Sequence, residues 1–213
     1  QYPVLFGIPD FRVFDPPYMS IEEERAIVEK LALQFDELNY EKLVEYFEVD
    51  LLNNRKQSVI EKGIAHRMSL RKKSPNRLKQ LLNTAGELKP FGSVLDLGCG
   101  SGEAIVALKE LGGKSVIGMD ISMIELFLAK KLLAEDGASA FLLAGCAEAM
   151  PFADEYFDFI YSPDVIEHVA DQSNYLCKIS RILRKQGVVL LNSPNRYSIV
   201  CPEPHVGIWF LTY

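Results

Sequence analysis

Two aspartates, Asp96 and Asp120, each close an apolar run, and Gly98, Gly100 and Gly102 follow the first in SVLDLGCGSGEAIVALKELGGKSVIGMDIS, residues 93–122. The glycines let a backbone turn sharply and approach a ligand closely. A helix opening near Gly102 would aim its free N–H groups at the same place. A carboxylate ending the second strand commonly accepts both hydroxyls of a ribose. The dinucleotide fingerprint is GxGxxG, whereas this loop is GxGxG with an acid two residues before its first glycine. An acid there repels pyrophosphate and suits a cationic amino group. The expected ligand therefore carries a ribose and an amino-acid-like moiety. Cys99, inside the loop, fits a small buried packing residue better than a nucleophile.

A second constellation is PDVIEHV. If it opens a helix, Asp164, Glu167 and His168 stand at i, i+3 and i+4 on one face. His168 would suit a general base near neutral pH. The two carboxylates and the imidazole would also suit a divalent ion. The third reading is structural or substrate-positioning.

The elements that must position these groups begin at Phe91. Strands are predicted at 93–97, 115–119, 139–143, 157–161 and 187–192, and helices at 102–111, 122–135, 164–169 and 172–183. Such alternation implies a doubly wound, mostly parallel α/β sheet with helices on both faces. Residues 1–90 are expected to form an N-terminal helical extension with no strand. Its first part, 1–19, is an aromatic and proline-rich arm laid over a surface. Ser20 and Glu23 form a capping-box candidate, with apolar positions at Ile21, Ile27, Val28, Leu31 and Phe35. A second helix is expected over Tyr40–Phe47, and a third opening with Ser74 as cap and Pro75 at its first position, closed by Gly86.

The chain has 213 residues, 48% of them hydrophobic and 24% charged, with a net charge of −6. That argues against a general nucleic-acid binder but not against a local basic patch. The stretch 67–79 (Arg67, Arg71, Lys72, Lys73, Arg77, Lys79) leaves open an RNA or phosphorylated substrate, although a solvated helix face is the simpler reading. Cys99, Cys146, Cys177 and Cys201 form no CxxC pair, so neither zinc site nor disulfide framework is suggested and a cytoplasmic setting is expected. No run is long enough to span a membrane and no signal peptide opens the chain. The chain begins with Gln1, which leaves open a longer natural chain.

VLDLGCGSGE with VIGMDIS resembles the class I S-adenosylmethionine-dependent methyltransferases, and AGCAEAMPFADEYFDFIYSPDVIEHV and ISRILRKQGVVLLNSPN continue the resemblance in order over about 91–200. The resemblance implies a Rossmann-like fold with S-adenosylmethionine as cofactor, bound by 91–213. It implies that Asp96, Gly98, Cys99, Gly100 and Gly102 hold the methionine part. It places Asp120 at the ribose with Ile121 and Ser122 beside it, and Cys146, Ala147 and Glu148 at the adenine. Many relatives carry aspartate where Cys146 stands, and a thiol is a poor acceptor. Ser162 and Asp164 would face the transferred methyl.

Ubiquinone-pathway O-methyltransferases and plant-type small-RNA 2′-O-methyltransferases carry an ExxEH patch similar to Asp164–Glu167–His168. In the RNA enzymes a later histidine joins it, which makes His205 a further metal candidate here. Asp164 is shorter than the residue expected there, so a metal is not favoured.

The expected activity is methyl transfer to a small-molecule acceptor, at oxygen rather than nitrogen or carbon. The alternative is a catalytically inert or regulatory S-adenosylmethionine-binding domain. A nicotinamide oxidoreductase is disfavoured by the glycine spacing. The family's final antiparallel hairpin needs more residues than follow Asn192, so the sequence suggests truncation at the C-terminus, or a bare sheet edge open to a homodimer.

Overall fold

A computed structural model of the chain describes residues 2–52, 56–86 and 91–193. Five parallel strands form one sheet: β3 (Gly92–Leu97), β4 (Gly113–Asp120), β5 (Phe141–Ala144), β6 (Phe157–Pro163) and β7 (Leu183–Asn192), in the order β5-β4-β3-β6-β7. The expected alternation is present, with α4 (Glu103–Glu110), α5 (Met123–Glu135) and α6 (Gln172–Ile182) between the strands. Strand order reverses between β3 and β6, the place beyond the strands' carboxyl ends where open α/β sheets form their ligand crevice. A family hairpin after β7, the tail and His205 all lie outside the described residues.

Alternation along β3 sorts the two faces. Leu95 and Leu97 pack with Tyr175, Ile179 and Ile182 of α6. Val94 joins the opposite cluster with Ile105 and Leu108 of α4 and Phe127 of α5. That second cluster also takes Val28, Leu31, Tyr40, Leu43, Phe47, Leu78 and Leu82. Residues before 90 therefore share one hydrophobic core with the sheet.

Those residues form α1 (Ile21–Ala32), α2 (Tyr40–Tyr46), one π-helical turn at Phe47–Leu51 and α3 (Gln57–Thr84). The capping box of Ser20 and Glu23 is made in both directions. The expected helix start at Ser74 is not. α3 begins at Gln57 and runs through Pro75. Proline removes one ladder bond and crowds the preceding turn. Burial of Ile60 before it and of Leu78 and Leu82 after it keeps the helix continuous.

The absence of strands before residue 90 also needs correction. β1 (Val4–Leu5) and β2 (Ile8–Pro9) make a hairpin. Its two-residue turn has Phe6 at φ 50° and Gly7 at φ 81°, the left-handed pair such tight hairpins require. The chain then continues along the outer edge of β5, where Asp10 bridges Ala144 and the Phe11 amide donates to the Ala144 carbonyl at 2.8 Å.

The helix expected at 164–169 is replaced by turns. Asp164 sits at φ 53° and donates its amide to the Asn192 carbonyl at 2.7 Å, which prolongs the β6–β7 pairing instead of starting a helix. No helix among the described residues is long and apolar enough to cross a membrane.

Leu78 carries α3 into the shared core and is fully buried. Leu78→Ala is expected to cost about 2–5 kcal/mol. Because the core is continuous, urea should unfold helical signal and sheet packing in one shifted transition. Two separated transitions would contradict the shared core.

Candidate active site

Asp96 points from β3 to the α4 side of the crevice edge. It is 1% exposed, and neither carboxylate oxygen has a hydrogen-bond partner among the described residues. Burial, then the charges of Glu103 and Asp120, push its pKa well above the carboxylate range. A buried carboxylate without a partner is costly and favours either a proton or a cationic neighbour.

The glycine loop surrounds it. Gly98 is at φ 77°, and a methyl there would meet Val165 Cγ2 at 2.3 Å. The segment after β6 therefore lies over the loop. Gly100, at φ 51°, has no atom within 4 Å of where a side chain would start. The same loop thus combines open space at Gly100 with a nearby strand-end carboxylate, Asp96, that has no hydrogen-bond partner among the described residues. Cys99 is buried against Gly118, as a packing residue would be.

Asp120 ends β4. Its carboxylate accepts from the amides of Gly100 and Ser122, each at 2.9 Å. Burial pushes its pKa up to about 6 against the pull of those two amides. Two oxygens with about four lone-pair sites retain room for further donors. Ser122 caps α5. Ile121 offers its carbonyl to Arg12 at 3.2 Å. Glu103, at the start of α4, is raised to about 7 by burial and by the charge of Glu125.

α3 is tied both to the loop after β3 and to the turn after β6. Arg67 pairs with Glu125 at 2.6 Å and Glu48 at 3.1 Å and reaches the Ser101 hydroxyl at 3.3 Å. Burial opposes the charge of Glu125, but Arg67 outweighs it and holds that carboxyl below its usual range. Further along α3, Arg77 grips Asp164 with both nitrogens. Arg71 pairs with Asp136 and Lys79 with Glu110. Four cations of the stretch 67–79 thus face carboxylates of their own chain, which weakens the case for a phosphate-binding face.

The remaining expected residues divide. Cys146 is fully buried in the turn after β5, with Ala147 and Glu148 half-buried beside it. Ser162 is fully buried, and its hydroxyl is 2.5 Å from that of Tyr175 in α6. Asp164 is held by Arg77 and by the Asn192 amide at 3.1 Å. Since 164–168 is a turn, Asp164, Glu167 and His168 do not share a helical face. Glu167 is half-buried, and His168 is exposed with its amide donating to the Val165 carbonyl. Among the described residues, no group of three or more His, Cys, Asp and Glu is arranged to hold a metal ion.

Sequence reading missed Arg12, Glu24 and Glu103. Glu24 accepts from the Ser122 hydroxyl at 2.7 Å and the Met123 amide at 3.1 Å. Tyr18 is largely exposed, and its hydroxyl end lies near Asp120 and Ser122. Glu103 directly follows the glycine loop, and its place in GSGE was a usable signal. Glu24 sits in the run Glu22–Glu24, where nothing local separates a buried acid from two solvated ones.

Residues 95–191 match the family described as Methyltransferase domain. The ubiquinone biosynthesis O-methyltransferase of Chelativorans sp. is 36% identical over 110 residues, covering 51% of this chain and 43% of that protein. The protein of the same description from Dinoroseobacter shibae is 31% identical over 146 residues, covering 68% and 54%. The chain thus spans about half the length of the curated relatives it matches. Among solved structures, a Methanococcus maripaludis protein assigned to the S-adenosyl-L-methionine-dependent methyltransferases shares the fold, with TM-score 0.55, 23% identity and coverage of 62% and 63%.

The raised carboxylates have a consequence with a definite sign. The folded, ligand-free chain holds protons at Glu103 and Asp120 that the unfolded chain has already released. Its stability should therefore fall as pH rises through the window from about 5 to 7.5. Glu103→Gln should flatten part of that decline. Thermal melts across this window check it, and stability rising with pH there would contradict the buried acidic cluster.

Proposed function

We propose that residues 95–191, which match the family described as Methyltransferase domain, are of the class I S-adenosylmethionine-dependent kind, and that the chain binds this cofactor in the β3–β6 crevice and methylates a hydroxyl of a small molecule. The observation that carries the reading is Asp96, buried and without a partner beside the opening at Gly100. A cationic amino-acid moiety relieves that carboxylate, whereas a pyrophosphate would meet Asp96, Glu103 and Asp120 together. Asp120 would take the ribose hydroxyls, and the Cys146–Glu148 turn would border the adenine. The bound cofactor supplies an electrophilic methyl on a sulfonium.

The chain's own contribution is then to align an acceptor and remove its proton. α3, fixed by Arg67 and Arg77, roofs the crevice and excludes water. His168, on the turn that lies over the glycine loop, is the base we assign. The names of the curated relatives support oxygen as the methylated atom and a small molecule as its carrier.

S-adenosylhomocysteine should raise the melting temperature and NAD should not. At 100 times the dissociation constant the gain is about 2.7 kcal/mol. Asp120→Ala should weaken binding by roughly 1.5–3 kcal/mol in calorimetry. Unchanged affinity in a folded variant would overturn the ribose placement. Transfer of labelled methyl to hydroxylated small molecules tests the activity. Cofactor bound without turnover on any of them would favour an inert binding domain. For the base, His168→Ala should slow transfer and chelator should leave the rate of the unaltered chain unchanged. Loss of activity with chelator, restored by a divalent ion, would replace His168 as base with a metal centre.

A further inference from the structure

The four residues Asp120–Met123 carry the proposed ribose contact, and half of what holds them comes from outside the matched domain. The Ile121 carbonyl accepts from Arg12 at 3.2 Å, and Ser122 and Met123 both donate to Glu24. Arg12 and Glu24 are themselves paired, and Arg12 also grips Asp10 at 2.7 Å. The side chains of this triad are 1%, 0% and 4% exposed for Arg12, Glu24 and Asp10.

The same arm touches the second cofactor-side loop. Phe11 and Asp10 pair with Ala144, the residue before the Gly145–Cys146 turn, and the Gly145 amide in turn donates to the Asp120 carbonyl at 2.9 Å. One segment of about a dozen residues therefore ties together the ribose side and the adenine side of the crevice.

Resting on the cofactor assignment above, we infer that Arg12 and Glu24 are positioning residues for the ribose-side loop, and that docking of arm 2–14 and cofactor occupancy are coupled. The coupling has a physical cause. Removing Arg12 leaves two buried carboxylates facing each other without their cation, which is strongly unfavourable. The loop they hold must then rearrange, and with it the Ser122 amide that Asp120 accepts from. By linkage, whatever the arm contributes to cofactor affinity, the cofactor contributes equally to arm docking. A merely structural edge cover would stiffen the fold but would not respond to ligand.

The test uses the full chain and S-adenosylhomocysteine, with hydrogen exchange followed in the arm and in the glycine loop. Binding is expected to slow exchange at Gly98 and Gly100 and also at the Asp10 and Phe11 amides. Arg12→Ala should lower ligand affinity by about tenfold, a typical coupling factor. Arg12→Lys keeps the charge but loses the fork that reaches three partners, so it should restore only part of that loss. Should Arg12→Ala fail to fold, exchange in the unaltered chain decides alone. Glycine-loop protection with no change in the arm overturns the coupling and leaves the cofactor assignment standing. Absence of any binding removes both.

Discussion

Negative charge withdrawn from water at one edge of the sheet is the constraint around which this molecule is arranged. Asp96, Glu103, Asp120, Glu125 and Glu24 converge near the glycine loop, and burying a carboxylate without compensation costs several kcal/mol. Each finds a different solution. Glu125 has Arg67, and Glu24 has Arg12 and the amino end of α5. Asp120 has two backbone amides. Asp96 and Glu103 are left to raised pKa values. The uncompensated remainder is what a cationic ligand would neutralise.

The compensating cations arrive from the segment before the sheet, which explains why that segment shares the core. Arg12 and Arg67 must be held within ångströms of their partners to repay the desolvation, and an appendage hinged to the sheet would not hold them so. The apolar contacts of Tyr40, Leu43, Phe47, Leu78 and Leu82 with α4 and α5 fix that geometry. Phe47 and Tyr40 also lie under the guanidinium groups of Arg67 and Arg71, each 5.5 Å from its ring centre. The segment before the sheet thus contributes both apolar packing and charge compensation to the same edge.

The segment after β6 shows how a local conformation redirects chemistry. Asp164 at positive φ breaks the helical path that would have aligned it with Glu167 and His168. Its carboxylate goes to Arg77 on α3, so it serves as an anchor for the roof of the crevice. Val165 is thereby laid over Gly98, where no larger residue than glycine fits.

Much of this was legible in the sequence because it depends on neighbours along the chain. The five strands, the glycine loop, the cap at Ser20 and the burial of Cys99 follow from periodicity and spacing. The parallel sheet follows from the alternation of strands and helices, whereas its order, β5-β4-β3-β6-β7, is read from the structure. What only tertiary structure decided involves partners far apart in sequence: Glu24 with Ser122, Arg67 with Glu125, Arg77 with Asp164, Ser162 with Tyr175. α3 runs through Pro75 because packing on both sides outweighs one missing hydrogen bond. The sequence of a charged residue states its charge. Whether that charge faces water, a helix end or a buried opposite charge depends on the low-dielectric surroundings that the folded chain alone creates.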